Sequence, residues 1–173
     1  MNISKDLQKQ LDQHIAKNEQ QAFVELAVKD HLNKHIAKKT NMIELFVDGG
    51  ARRNPGPAGG GFAVFKGGEK VLQGSEYFGE KTNNQAEYLA LRLALRETYD
   101  QFPDANVHCY MDSQLVVEQM RGNYKVKNQN IRPLYEEVDR IAAQFKGFEI
   151  EHVEREQNKF ADKLANEAMD RQK

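Results

Sequence analysis

Two textures of apolar and polar positions divide this chain of 173 residues. Over residues 4–38 the spacing is helical: Leu7, Leu11, His14 and Ile15 share one stripe, and Phe23, Leu26, Ala27, Leu32 and Ile36 form another. Lys17-Asn18-Glu19 offers a break between them, so a helical hairpin is predicted over residues 1–40. Neither glycine nor proline occurs before residue 49, and Thr40-Asn41 punctuates the change of texture near residue 41. From there short apolar runs predict strands at 43–47, 60–66 and 70–77, the last two joined by a Lys66-Gly67-Gly68 turn. Tyr88, Leu89, Leu91, Leu93 and Leu95 recur at helical spacing and predict a helix over 83–100. A short buried strand is predicted at 107–111 and helices at 113–120 and 131–145, with Pro133 acceptable in a first helical turn. A last strand at 148–153 and a helix over 158–169 complete the domain. The order βββ-α-β-α-α-β-α predicts an α/β fold for residues 41–173. An antiparallel meander joins strands that alternate with helices, giving a five-stranded mixed sheet flanked by helices.

Composition narrows what such a domain does. Cys109 is the sole cysteine, which excludes an internal disulfide and a cysteine-based zinc site and fits a reducing, cytoplasmic setting. Apolar runs fall far short of the ~20 residues of a membrane span, and the polar N-terminus is unlike a signal peptide. The net charge of −1 hides an asymmetry. Residues 1–40 hold seven lysines against five acids, and the remainder holds eighteen Lys/Arg against twenty-one Asp/Glu. This is not the basic signature of a protein that grips nucleic acid by charge alone. A nucleic-acid function would rest on a local site, with metal ions offsetting its acids.

Four carboxylates stand in unusual places. Asp48 ends the apolar run Leu45-Phe46-Val47, where Asp-Gly also reads as a turn pair. Asp112 ends the run VHCYM in the same way, and it also reads as a helix N-cap. In α/β sheets ligands bind at that edge. Glu87 lies on or beside the apolar stripe of its helix, either at the margin of the core or aimed at a site. Asp162 sits near a helix start, where the dipole favours an acid in any case. The conjunction outweighs the single readings. Clustered carboxylates repel unless cations sit among them, and hard oxygen ligands suit Mg²⁺ or Mn²⁺. Two such ions are a recurring arrangement for phosphodiester displacement.

The stretches DGGARRNPGPAGGG, TNNQAEYLAL, YMDSQLVVEQM and REQNKFADKLANEA, in that order, resemble the type 1 ribonucleases H across residues 42–170, about three quarters of the chain. The resemblance implies the ribonuclease H-like fold and an endonuclease that hydrolyses the RNA strand of RNA/DNA hybrids, leaving 5′-phosphate and 3′-hydroxyl ends. It implies two Mg²⁺ ions, replaceable by Mn²⁺, with Asp48 bridging both. Asp162 would complete the site that activates water, and Glu87 and Asp112 the site facing the leaving oxygen. Gly49 and Gly50 would let the sugar-phosphate strand approach closely, and Asn54 would touch nucleic acid. Thr82 and Asn84 would hold a DNA-strand phosphate, while Asn83 and Gln114 would reach base edges in the minor groove. Thr82-Asn83 also reads as a helix cap, and Arg52 and Arg53 read as turn charges or phosphate contacts.

The chain departs from the family twice. The loop EREQN, residues 154–158, is short and lacks the mobile histidine of many bacterial members. His152 reads as a strand residue, and Arg155 is the candidate auxiliary group. After Met120 there is no room for a long basic protrusion, and Lys125 and Lys127 are a thin substitute. Residues 1–40 do not resemble the hybrid-binding module of some relatives. They instead suggest a helical hairpin that packs on the core or self-associates with a second copy, with a protein or nucleic-acid contact through its lysines as the alternative. The competing class is a hybrid-binding module without catalysis. Retention of four mutually repelling acids argues against it.

Overall fold

The computed structural model describes residues 41–171, so the hairpin predicted over residues 1–40 lies outside the described residues. The elements are β1 (Met42–Ala51), β2 (Gly56–Lys66), β3 (Glu69–Lys81), α1 (Asn83–Gln101), β4 (Asn106–Met111), α2 (Gln114–Met120), α3 (Arg132–Ala142), β5 (Gly147–His152), a 3-10 turn (Arg155–Gln157) and α4 (Lys159–Arg171). The five strands lie in the order β3-β2-β1-β4-β5. β1–β2 and β2–β3 pair antiparallel, and β1–β4 and β4–β5 pair parallel. This is the mixed sheet that the element order predicts.

Strict alternation along β1 buries Ile43, Leu45 and Val47 on one face. They meet Tyr88, Leu91 and Leu95 of α1, Val107 and Cys109 of β4, and Val116 and Val117 of α2 in one continuous core. The opposite face is covered over β1, β2 and β3 by α4.

Two glycine-rich stretches differ from their expected form. Asp48-Gly49 is not a turn, because β1 runs on through Asp48↔Gly61 and Gly49↔Gly60 to Ala51. β2 starts at Gly56, four residues before the expected start. Glycine is a poor strand former, yet here the sheet must admit helices on both sides. A Cβ on Gly61 would lie 2.5 Å from Ala165 N of α4, and one on Gly60 2.6 Å from Ala90 Cβ of α1. Gly59 would also press on α4, at 3.1 Å from Ala168 Cβ. Packing against two helices therefore decides a strand that propensity alone does not reveal. β3 likewise runs to Lys81, four residues beyond the predicted end, through its pairing with Gly56–Ala58.

Candidate active site

β1 and β4 are parallel neighbours in the register Val47↔Met111. Asp48 and Asp112, each the next residue along, therefore emerge side by side at the C-terminal sheet edge. The N-cap of α2 is Ser113, whose hydroxyl accepts from Val116 N at 3.5 Å, so Asp112 is free of the capping role that its position suggests. Thr82 caps α1 through a reciprocal capping box with Gln85. That cap fixes the start of the helix and carries Glu87, one turn in, over the same edge. Asp162 comes from the first turn of α4. All four acids line one cleft of about 380 Å³.

Three of the four acids have a side-chain partner among the described residues. Asn83 donates from Nδ2 to Glu87 Oε1 (3.0 Å) and accepts at Oδ1 from Ala51 N (3.3 Å), bracing α1 against the end of β1. Ser113 stands near Glu87 and favours its charged form. Asn158, fully buried, donates to Val47 O (2.9 Å) and Asp112 Oδ1 (3.2 Å). Arg155 pairs with Asp162 at 2.5 Å, and that hydrogen bond holds its guanidinium still more firmly charged.

These contacts do not neutralise the cluster. Burial, then repulsion from Asp112 and Asp162, pushes the Asp48 carboxyl from its ordinary 3.8 to about 7. Burial, and less so the charges of Asp48 and Asp112, pushes Glu87 from 4.5 to about 7 against the hydrogen bonds of Ser113 and Asn83. Glu87 Oε2 is buried with no hydrogen-bond partner. An orphaned carboxylate oxygen, two carboxyls that resist ionising and an all-oxygen donor set fit hard divalent cations. As they stand, no three His, Cys, Asp or Glu side chains among the described residues converge as ligands of a single ion. Mutual repulsion and the separate ties to Asn83, Asn158 and Arg155 account for that spread.

The other expected residues are placed unevenly. Gly50 lines the cleft with room to spare, since a Cβ there meets only Asn83 Oδ1 at 3.7 Å. Gly49 is different: a Cβ would sit 2.3 Å from Ala86 O, so its missing side chain serves the seat of α1 rather than approach to a nucleic-acid strand. Asn83 turns into the cleft toward Glu87. Asn54 lies outside the cleft and accepts from Asn83 N at 3.1 Å. Asn84 and Gln114 are exposed at the starts of α1 and α2, outside the cleft. Arg52 reaches the cleft wall and pairs with Asp170. Sequence reasoning missed Asn158, Ser113 and Asn166 as site residues. Only Asn158 carried a usable signal, a polar residue directly before an apolar-periodic helix, and that signal reads as an ordinary helix start.

The family model described as reverse transcriptase-like matches residues 46–168. The chain belongs to this family, which is ribonuclease H-like. It is 41% identical over 130 residues to the bifunctional protein Rv2228c of Mycobacterium tuberculosis, covering 74% of this chain and 35% of that protein. It is 38% identical over 129 residues to ribonuclease HI of Halobacterium salinarum, covering 74% of this chain and 64% of that one. The chain thus spans about a third of the mycobacterial relative and less than two thirds of the archaeal one. Among solved structures, LC11-RNase H1 in complex with RNA/DNA hybrid superposes with a TM-score of 0.71 at 40% identity, over 75% of this chain and 97% of that one. The four carboxylates all lie within the span matched to the ribonuclease H-like family.

Proposed function

We propose that the chain is a type 1 ribonuclease H of the shorter-loop branch, hydrolysing the RNA strand of RNA/DNA hybrids at the four-carboxylate cleft. One observation carries this reading. The end of the parallel β1–β4 pairing and two helices deliver Asp48, Asp112, Glu87 and Asp162 to one cleft, where burial and mutual repulsion make Asp48 and Glu87 resist ionisation. Kinship to proteins named ribonuclease H, and a hybrid-bound structural neighbour, supports the substrate class.

The four acids would hold two Mg²⁺ ions, with Mn²⁺ able to replace them. Such ions, when bound, supply a water nucleophile at neutral pH and offset charge on the leaving oxygen. The chain's own residues orient the site. Asn158 points Asp112 inward and ties it to the backbone just before Asp48. Asn83 turns Glu87 so that one oxygen is engaged and the other stays free. Arg155 pairs with Asp162 in the cleft and brings a guanidinium, a group suited to a phosphate, beside the acids. The bare backbone at Gly50 leaves room for a sugar-phosphate strand beside the acids. The expected products are a 5′-phosphate and a 3′-hydroxyl.

The test is an end-labelled RNA/DNA hybrid beside single- and double-stranded RNA, each with Mg²⁺, Mn²⁺ or chelator. Metal-dependent cutting of hybrid RNA is expected, with a loss of at least about 10³-fold in Asp48→Asn while hybrid binding persists. Binding without cutting under every metal would overturn the catalytic reading.

A further inference from the structure

The described helices cover the sheet face opposite the core only in part. α4 packs on β1, β2 and β3, and no described helix makes more than marginal contact with that face of β4 and β5. Register places two complete cross-sheet rows on this face. One runs Lys70, Phe65, Glu44, His108, Glu149 and the next Gln73, Ala63, Phe46, Tyr110, Glu151. Their rings form an unbroken ladder with Phe160 of α4. Centroid separations are 5.8 Å from Phe160 to Phe65, 5.6 Å to Phe46, 4.8 Å to Tyr110 and 4.5 Å to His108. Phe160 is 58% exposed, and Phe65, Phe46, Tyr110 and His108 are half-buried. A row of half-buried rings on a sheet face that the described helices leave open marks an interaction surface.

Charge specifies the occupant. Three carboxylates, Glu44, Glu149 and Glu151, stand among the β1–β4–β5 rings; among the described residues Glu151 is the one of them with a partner, His108 Nε2 at 3.0 Å. The Lys70 ammonium lies over Phe160 at the α4 end, 5.6 Å from its centroid. Burial and these same carboxylates raise the Tyr110 hydroxyl above its ordinary range, a sign of the local negative field. Such a field repels phosphate backbones and anionic membrane surfaces. Guanidinium and ammonium groups both stack on rings and pair with carboxylates. We infer that this face docks a protein segment presenting arginine or lysine beside apolar side chains, with the ring ladder as its floor and Glu44, Glu149 and Glu151 as its charged rim. The surface lies on a different face from the cleft and does not depend on the nuclease reading.

The test uses the full chain and a fluorescein-labelled peptide of leucine and arginine in helical amphipathic spacing, read by anisotropy. A leucine–glutamate peptide serves as control, and near-ultraviolet circular dichroism checks each variant's fold. Glu149→Lys/Glu151→Lys is expected to weaken binding about tenfold or more, and Phe160→Ser about threefold. The basic peptide should bind Asp48→Asn/Asp112→Asn as it binds the wild type, and the acidic peptide should not bind. Absence of binding, or equal binding by the charge-reversed protein, overturns the inference. So does loss of binding in Asp48→Asn/Asp112→Asn, which would place the peptide on the cleft acids. Sedimentation that shows a dimer dissolved by charge reversal would assign the face to a second copy and overturn the inference as well.

Discussion

Asn158 carries more of the site than its bland position suggests. One amide links the backbone carbonyl before Asp48 to the carboxylate of Asp112, at no solvent exposure. Its own Oδ1 is buried without a partner, a cost tolerated because the two donated bonds fix two strand ends together. Asn158→Ala leaves Val47 O and Asp112 unpaired, so a loss of about 1–3 kcal/mol is expected. Calorimetric melting measures that loss. The same variant should need more Ca²⁺ or Mg²⁺ for half-saturation in a binding titration, because Asp112 loses its orientation. Unchanged melting and unchanged cation titration would remove Asn158 from the site. Asn83 acts on the same principle at Glu87: it engages one carboxylate oxygen and leaves the other without a partner.

Helix–strand approach is the theme at the scale of elements. α1 lies so close to β1 that Ala86 O occupies the space of a Cβ on Gly49, and this closeness brings Glu87 over Asp48. Gly49→Ala is therefore expected to cost about 3 kcal/mol or more. Its neighbour offers the control, since Gly50→Ala meets open space and should stay within about 0.5 kcal/mol of the wild type. Urea unfolding of the two variants reads the difference. If both are tolerated alike, α1 is not seated as described. The sequence stretch DGGARRNPGPAGGG invites the view that all its glycines serve nucleic acid. In the fold Gly49 and Gly60 serve α1, Gly59 and Gly61 serve α4, and Gly50 alone among them opens on the cleft with room to spare.

At the scale of the molecule, the site opposes stability. Asp48 and Glu87 bind protons more tightly folded than unfolded, with carboxyls raised from 3.8 and 4.5 to about 7. A raised carboxyl favours the folded state only by its protonated form, so in chelator stability should fall as pH rises from about 4 to about 7 and then level off. The penalty is of order 4 kcal/mol for each of the two groups. Asp48→Asn should accordingly melt higher than wild type at pH 8 in chelator, and the gap should narrow at pH 4.5. Mg²⁺ should recover the wild type's loss at high pH by binding the folded state. A melting temperature flat from pH 4.5 to 8 in chelator would contradict the electrostatics of the cleft. The outer sheet face is a second tension of the same kind, with rings left half-buried where α4 does not reach.

Much of this was legible locally. Short apolar runs marked β1 and β4, and helical periodicity marked α1, because burial imposes such patterns on the sequence itself. Asp48 and Asp112 were legible as breaks in apolar runs, although β1 continues past Asp48 to Ala51 and only its pairing with β4 stops there. What the sequence left open was settled by neighbours distant along the chain. Only the parallel β1–β4 register makes Asp48 and Asp112 adjacent. Only the capping role of Ser113 frees Asp112, and only the seat of α1 explains Gly49. The ionisation of Asp48 and Glu87 belongs to neither residue: it arises from burial and shared charge, which exist once the chain has closed around the cleft. The sequence by itself determined which segments become strands and helices and which carboxylates interrupt them, since those are properties of local pattern. Tertiary structure alone decided which carboxylates meet and how they are charged, because proximity and dielectric are properties of the packed whole.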